Sequence, residues 1–421
     1  MAERQIKQER KPISIPQILY DVILFGFIVT NYLAYISFTR MSDYTFYMLE
    51  RRLNRAILLV MFAHLCMTAG ELIGRELIKE NKKKALPMTG VYLIATAALS
   101  YFILKTMPGM AHERFYTLIG VYLIAFMGKR PFRRTAAVFL AAYAGIFLVA
   151  SLGVPLGYTK DAVRLMDYGA KHTFGLVHPN TAAHIVFVIV FCVRYLFLRG
   201  KVKATFALFW GVAAFLLLTN RCRTVIILLF AFPILWRLCG AKTLKRTKSA
   251  GMLIALFPVI CLAITLLLCI PIDLIHRLTY DNFLFSIGER FVQAGITIRT
   301  HGMPLLGRSI DTSRNIKMMV DGEKITLFAV DNAFVSYGVI RGLVWLAPSI
   351  GLLCLANFKA WERKDYALMI YGLLACVFAI MERRGLNPAF NMMFYYPLPL
   401  LWERGRRYAG QDRRDPHRIR L

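Results

Sequence analysis

Apolar runs of membrane-spanning length recur along nearly the whole of this 421-residue chain. A helix needs about 20 apolar residues to cross the hydrocarbon core of a bilayer. Hydrophobic residues make up 57% of the chain and charged residues only 18%, whereas a folded soluble protein still exposes a large polar area. The sequence therefore predicts an all-α, polytopic membrane protein.

We expect about twelve transmembrane helices within a single membrane domain, residues 1–421. The predicted spans begin near Pro16, Asn54, Leu86, Glu113, Thr135, Thr181, Ala204, Cys222, Gly251, Asn332, Tyr366 and Phe390. The first run, residues 16–36, is longer than the core of a signal peptide, and no small-residue cleavage site follows it. It is therefore expected to remain as a span. The weakest candidates are the short runs at 114–128 and 390–402.

The basic residues predict the orientation of the chain. They collect at the two ends and in alternate loops, as cytoplasmic segments do. Both termini are therefore predicted to be cytoplasmic, with a basic tail at 404–421, and residues 273–331 form one large extracytoplasmic loop, hereafter the long loop. The exceptions fall in the first and the last predicted outer loops; they are Arg40, Arg51, Arg52 and Arg55, and then Arg383 and Arg384. The net charge of +29 follows from this orientation and from anionic headgroups, so no nucleic-acid partner is expected.

No sequence pattern indicates a metal or a cofactor. The eight cysteines are scattered singly and form no CxxC pair, so neither a zinc site nor a disulfide framework is predicted. Asp-x-Asp pairs, which commonly hold a metal in sugar-nucleotide enzymes, are absent. We expect chemistry that needs neither a metal nor a cofactor.

The long loop carries Glu289, Arg290, His301 and Arg308 close to glycines. Glycine lets a backbone turn tightly and lets a bulky ligand approach, and the planar fork of arginine fits phosphate oxygens. The loop is predicted to supply half of an active site that binds a pyrophosphate at the membrane surface. For any one arginine, simple solvation is the alternative.

Arg221 and Arg223 stand in a tight turn between two apolar runs, on the same predicted side as the long loop. Arginine at membrane depth is costly and is usually paired or functional. The alternative is that the guanidinium groups reach the lipid headgroups while their stems stay in the lipid. We expect Arg223, which lies deeper, to have a functional role.

Polar residues also flank two further predicted spans on that side. His178 and Asn180 precede one, and Asp331 with Asn332 precedes another. Side chains of these types cap helix N-termini, so capping is one explanation for all four. The other is that they belong to the site, with Asp331 taking a proton from a substrate hydroxyl.

Four segments together resemble the O-antigen polymerase and ligase superfamily, in particular the capsular and exopolysaccharide repeat-unit polymerases of Gram-positive bacteria. They are Phe174 to Thr181 (FGLVHPNT), Leu218 to Thr224 (LTNRCRT), Gly288 to Phe291 (GERF) followed by Pro304 to Gly307 (PLLG), and Asp331 to Ile340 (DNAFVSYGVI). The second segment has Cys222 where the family usually has serine. The resemblance covers roughly residues 155–391.

The resemblance implies the fold of the class C glycosyltransferases and a metal-independent glycosyl transfer. A growing glycan on undecaprenyl pyrophosphate would move onto a terminal sugar hydroxyl of the next lipid-linked repeat unit, outside a bacterial cytoplasmic membrane. In these terms Arg223 and Arg290 are expected to bind the pyrophosphate, and Asp331 the acceptor hydroxyl. The ligase branch has a histidine where Asp331 stands, so the base stays open between Asp331, His301, Glu289 and none.

The remaining predicted substrate-binding residues are Arg221, His178, Asn180, Arg308 and Asn332. Lipid-linked glycans and membrane lipids are the expected partners, and a chain-length regulator and a flippase are candidate protein partners. The alternatives are a ligase of the same fold, a lipid-linked oligosaccharide flippase, a membrane acyltransferase and a non-catalytic scaffold.

Overall fold

A computed structural model describes residues 14–33, 35–39, 43–78, 97, 100–101, 111–126, 130–161, 163–166, 169–240, 248–279, 285–310, 317–320, 323–326 and 330–397. These parts are mostly helical, and seven of their helices are long and apolar enough to cross a membrane. The prediction of a helical, polytopic membrane protein is confirmed, while twelve spans and their orientation stay predictions. The span expected near Leu86 and the tail at 404–421 lie outside the described residues.

The helices are numbered in chain order. They are α1 (Ile15–Leu33), α2 (Asp43–Ile78), α3 (Ala111–Ala125), α4 (Phe132–Gly153), α5 (Pro179–Phe197), α6 (Val202–Thr219), α7 (Arg223–Gly240), α8 (Lys248–Cys269), α9 (Ile272–Thr279), α10 (Phe285–His301), α11 (Ala333–Ser336), α12 (Leu343–Glu362) and α13 (Tyr366–Met381). Two short antiparallel hairpins accompany them, β1 (Arg164–Met166) with β2 (Gly169–Lys171) and β3 (Lys317–Val320) with β4 (Glu323–Thr326).

Helix α5 lies at the centre of the bundle. Of its apolar window, 78% is buried inside the protein, against 22% for α6 and for α8, so α6 and α8 leave most of their surface uncovered by the described residues. Its one buried histidine, His184, is satisfied by the hydroxyl of Tyr32 on α1 at 3.0 Å and stacks on Phe378 of α13. Buried polar groups need such partners because hydrocarbon offers none.

Residues 387–396 pass into the bundle without forming an α-helix. From Ala389 to Tyr396 every residue is buried, and the segment includes only a 3₁₀ turn, Met392–Tyr395. Ring contacts place it against α1 and α4, since Phe390 lies against Tyr32 of α1 and Tyr396 against Phe132 of α4. The prediction of a helical span from Phe390 is therefore wrong for residues 390–396, and its residues 398–402 lie outside the described part of the chain.

Side chains replace the helical hydrogen bonds in this segment. The amide of Asn391 accepts from Met393 N at 3.1 Å and donates to Gly385 O at 3.0 Å. The hydroxyl of Tyr143, on α4, donates to Ala389 O at 3.0 Å. Irregular backbone survives at membrane depth only when protein groups satisfy it in this way.

The long loop begins with two helices, α9 and α10, and then docks on the chain that follows it. Arg308 N donates to Val339 O at 2.8 Å, and Leu343 N donates to Pro304 O at 3.1 Å. Gly307 and Gly342 have φ angles of 82° and 89°, and a Cβ on either would overlap backbone atoms of the facing segment. Glycine is required at this crossing because no other residue tolerates both constraints.

The span predicted to start at Asn332 is interrupted. Asn332 caps α11, a π-helical turn follows at Tyr337–Arg341, and Gly342 breaks the helix before α12 starts at Leu343. The interruption lies where the long loop docks, so the backbone groups released there have partners in residues 304–308.

Candidate functional site

Five connections meet at one end of the bundle, hereafter the loop end. Residues 35–39 pair with residues 158–177, as in Ser37 N to Gly175 O at 2.9 Å. The fully buried Asn220 joins the α6–α7 turn to this region, since its Nδ2 donates to His172 O at 2.8 Å and to Pro179 O at 3.0 Å. The long loop and the residues after α13 complete the loop end.

A carboxylate that follows α13 organises a polar cluster there. Glu382 Oε1 accepts from Asn180 Nδ2 at 2.5 Å and from Arg290 Nη2 at 3.3 Å. Arg290 also donates through Nη1 to Met381 O, and its Nε lies 3.9 Å from Asp331 Oδ2. We call Asn180, Arg290, Asp331 and Glu382 the Glu382 cluster. It joins α5, α10 and the ends of α13 and the long loop.

The carboxylates of this cluster differ in burial, and burial raises the pKa of the more enclosed ones. The side chains of Glu382 and Arg290 are 13% and 18% exposed, whereas that of Asp331 is 47% exposed. Burial raises the pKa of Glu382 above its ordinary value and the charge of Asp331 adds to this, while Arg290 and Arg384 oppose it. The pKa of Glu289 is also raised, first by burial and then by Asp331. Both glutamates are thus stronger proton acceptors than an ordinary carboxylate.

Arg384 lies beside the cluster and is differently placed from Arg290. Its guanidinium carbon lies 3.6 Å from the centre of the Tyr35 ring, and its Nη1 donates to Thr181 Oγ1 at 2.5 Å. Among the described residues, no carboxylate lies within ion-pair distance of it. Arg384 therefore keeps N–H donors for an anion, next to the positive N-terminal end of α5.

The loop before α5 is fixed by Asp161. Its carboxylate accepts from Thr173 N at 2.7 Å, from Phe174 N at 3.0 Å and from His172 Nδ1 at 2.7 Å. Burial alone would raise the pKa of Asp161, but these hydrogen bonds outweigh it and the pKa is lowered. The carboxylate holds the turn at Phe174 and Gly175, where φ is 52° and 79°, and so sets where α5 begins.

Three residues proposed from the sequence meet in the Glu382 cluster, namely Asn180, Arg290 and Asp331. Glu289 is coupled to Asp331 through its charge. His178 is the N-cap of α5 and accepts from Asn180 N at 3.1 Å, which agrees with the capping interpretation.

Asn332 has a packing role. It is fully buried, its Oδ1 caps α11 through Val335 N at 3.1 Å, and its Nδ2 donates to Ile380 O at 2.9 Å. It thereby ties the end of the long loop to α13, and no surface of it remains for a substrate.

His301 and Arg308 lie near the docked segment of the long loop. Burial and the charge of Arg308 lower the pKa of His301. The Nε2 atom of His301 is buried and has no hydrogen-bond partner among the described residues. Neither residue makes a described contact with the Glu382 cluster, so the structure does not bring them together with Arg290.

The turn at Arg221 and Arg223 borders the cluster through the residue between them. Burial raises the pKa of the Cys222 thiol to about 11, and the charges of Glu382 and Arg290 act on it. Arg221 has a φ of 56°, and Arg223 is exposed at the first position of α7. Both arginines thus sit at the edge of the site rather than within it.

Sequence reasoning missed Glu382, Arg384, Tyr35 and Thr181. One signal was present, because charged residues directly after the apolar run of α13 broke the rule that outer loops are poor in arginine. Among the described residues, no three His, Cys, Asp or Glu side chains come together as a metal site. The expectation of metal-independent chemistry stays a prediction.

The fold and the site define a helical membrane protein with a buried polar cluster at one end of its bundle. No family model matches the chain, and no curated protein or solved structure matches it.

Proposed function

We propose that the protein is a polysaccharide polymerase of a bacterial cytoplasmic membrane, with the loop end facing outward. It joins oligosaccharide repeat units carried on undecaprenyl pyrophosphate by glycosyl transfer. The observation that carries this proposal is the pairing, at the loop end, of an arginine open to an anion with an oriented, buried carboxylate. The four sequence segments that resemble the polymerase and ligase superfamily all reach this end.

The leaving group sets the first requirement. When the glycosidic bond breaks, the lipid pyrophosphate gains negative charge, and fixed cationic donors near it lower the barrier. Arg384 suits this role best because its guanidinium is held by Tyr35 and Thr181 and has no carboxylate partner among the described residues. Arg290 is already bonded to Glu382, so we assign it mainly to holding that carboxylate. Arg223 stays a candidate for the outer phosphate.

The location of the site favours an enzyme over a flippase. Transporters commonly bind their substrate near the middle of the bilayer, between two related halves. Here Asn180 lies in the first turn of α5, Arg290 in the second turn of α10, and Glu382 directly after α13. A transferase whose two substrates are both lipid-linked needs its reactive groups at this level, where the sugar and pyrophosphate parts lie.

The test uses full-length protein purified in detergent, with short lipid-pyrophosphate-linked repeat units and a gel that separates the products. A ladder of longer lipid-linked products is expected. An unchanged substrate would contradict the proposal of an enzyme and would favour the alternatives of a flippase or a scaffold. If the glycan were transferred only to an acceptor that lacks a lipid pyrophosphate, the protein would be assigned as a ligase rather than a polymerase.

One matched pair of variants connects that activity to the site. Arg384→Lys keeps the charge and loses the planar fork, and we expect it to lower the rate by about tenfold or more. Arg299→Lys is the control, because Arg299 is an exposed arginine of α10 that donates to Ile270 O at 2.8 Å, away from the cluster. Equal rates for the two variants would contradict the role of Arg384 in binding the pyrophosphate.

A further inference from the structure

The acceptor hydroxyl must lose a proton during the transfer, and three carboxylates of the loop end could accept it. On the basis of the proposed function, we infer that Glu382 is the general base and that Asp331 and Glu289 are not. None of the sequence motifs points to Glu382, because it lies beyond the fourth of them. The argument rests on how its two carboxylate oxygens are used.

One oxygen of Glu382 is fixed by the protein. Oε1 receives both the Asn180 amide at 2.5 Å and the Arg290 guanidinium at 3.3 Å. The donors come from α5 and α10, so the carboxylate is held between two helices and its plane is set by them. Glu382 N also donates to Phe378 O at 2.8 Å, which continues the ladder of α13 and fixes the backbone.

The other oxygen is open. Among the described residues, no donor is bonded to Oε2, and this atom is not one of the buried polar atoms that lack a partner. The side chain retains 13% exposure, and both described donors cover Oε1, so we assign the accessible part of the carboxylate to Oε2. An oriented carboxylate with one held and one open oxygen is the arrangement that a general base requires, because the geometry of proton transfer is set before the substrate arrives.

The two competing carboxylates lack this arrangement. Asp331 has a side chain that is 47% exposed, and its one described partner, Arg290 Nε, lies 3.9 Å away, beyond hydrogen-bond length. Glu289 has no described hydrogen bond. Asp331 is thus exposed and weakly held, and the half-buried Glu289 has no described donor to orient it, so neither offers a fixed oxygen to a hydroxyl.

Arg384 places the anion beside this oxygen. Its charge acts on Glu382, and it extends from the same turn, two residues further along the chain. A pyrophosphate bound by Arg384 would bring the anomeric carbon of the donor sugar next to Glu382. The acceptor hydroxyl would then lie between that carbon and Oε2.

The step balances as follows. The acceptor oxygen forms a bond to the anomeric carbon, and the bond between that carbon and the pyrophosphate oxygen breaks, its electron pair leaving with the pyrophosphate. The hydroxyl proton passes to Oε2 of Glu382, which becomes a carboxylic acid. After the product leaves, the acid returns this proton to water. The raised pKa of Glu382, caused first by burial, fits a group that accepts a proton at working pH.

The decisive variant is Glu382→Gln in the polymerisation assay with full-length protein. Glutamine keeps an oxygen for Asn180 and Arg290 and replaces the open oxygen by an NH₂ group that accepts no proton. We expect the maximal rate to fall about 100-fold or more with little change in the KM for the acceptor. Asp365→Asn is the matched control, because Asp365 is a partly buried carboxylate at the other end of the same helix, where it caps α13.

The pH profile separates a base from a structural role. Wild-type kcat/KM is expected to fall as the pH is lowered. The apparent pKa of this acid limb of the profile is expected to lie above the ordinary glutamate value of about 4.3. Asn180→Ala removes a hydrogen bond that lowers the pKa of Glu382, so the limb must move to higher pH. This shift decides the question even if Glu382→Gln does not fold, and Asp365→Asn must leave the limb in place.

The outcomes are distinct. A wild-type protein that makes no ladder overturns the proposed function and this inference with it. A wild-type protein that makes a ladder, together with a folded Glu382→Gln that polymerises within about threefold of it, overturns the inference alone. A larger loss in Asp331→Asn than in Glu382→Gln would assign the base to Asp331, and an unmoved acid limb in Asn180→Ala would also count against Glu382.

Discussion

The buried segment at residues 387–396 gives a sharp test of the fold that does not depend on any activity. Asn391→Ala deletes an amide that serves two backbone groups, Met393 N and Gly385 O. Asn391 is 2% exposed and its neighbours Met392 and Met393 are fully buried, so water cannot replace the lost partner. Each unsatisfied buried group costs about 1–3 kcal/mol, so the two together predict a loss of roughly 2–6 kcal/mol.

The matched control is Asn357→Ala. Asn357 lies on α12 and is 1% exposed, and no described residue accepts a hydrogen bond from its Nδ2. Both variants delete the same atoms from the core. Among the described residues, Asn357→Ala loses only a hydrogen bond with the Cys376 thiol, so the difference reports mainly the two backbone hydrogen bonds of Asn391. The free energy of unfolding is measured by SDS titration of the detergent-purified proteins. Equal losses in the two variants would refute the claim that side-chain amides satisfy this segment.

Three further predictions follow from the loop end and the docked segment. Gly307→Val should expose residues 302–310 to limited proteolysis, because a Cβ there overlaps the facing backbone, while Gly351→Ala, with open space around it, should not. Asp161 has a lowered pKa, so its stabilisation is present above the ordinary aspartate value of about 3.9 and is lost as the pH falls. The wild-type advantage over Asp161→Asn in unfolding midpoint should therefore be clear at pH 7 and shrink toward pH 3, and a constant difference would contradict this. Tyr35→Leu should slow polymerisation by about threefold to thirtyfold by releasing the stacked Arg384, whereas Tyr35→Phe keeps the ring and should retain activity.

The helical membrane fold was predictable because it follows from apolar run length alone. The meeting of Asn180, Arg290 and Asp331 was predictable in outline, since Asn180 and Asp331 flank predicted spans, Arg290 lies in the long loop, and alternate crossing assigns all three to one end of the bundle. Their contact partner was not. Glu382 follows α13 without a spacing pattern of its own, and only the packing of α5 against α13 shows that it receives Asn180.

Two other features needed tertiary structure. Residues 390–396 are apolar enough to resemble a short span, yet the chain avoids a helix there because Asn387 and Asn391 bond nearby backbone groups and the distant Tyr143 donates to Ala389 O. The break at Gly342 depends on the long loop crossing at Gly307. In both cases local composition was overruled by a partner distant in the sequence.

The non-helical segment also bears on how the protein enters the membrane. A stretch that satisfies its backbone through Tyr143 of α4, and whose Asn387 bonds Asn31 of α1 at 3.3 Å, cannot partition into lipid as an independent helix. It must wait in a polar environment, at the translocation machinery or the membrane surface, until the earlier helices have assembled a slot for it. This segment is therefore expected to insert into assembled protein rather than directly into lipid. Substitutions that loosen α1 or α4 are expected to accumulate nascent chains in which residues 387–396 have not yet inserted.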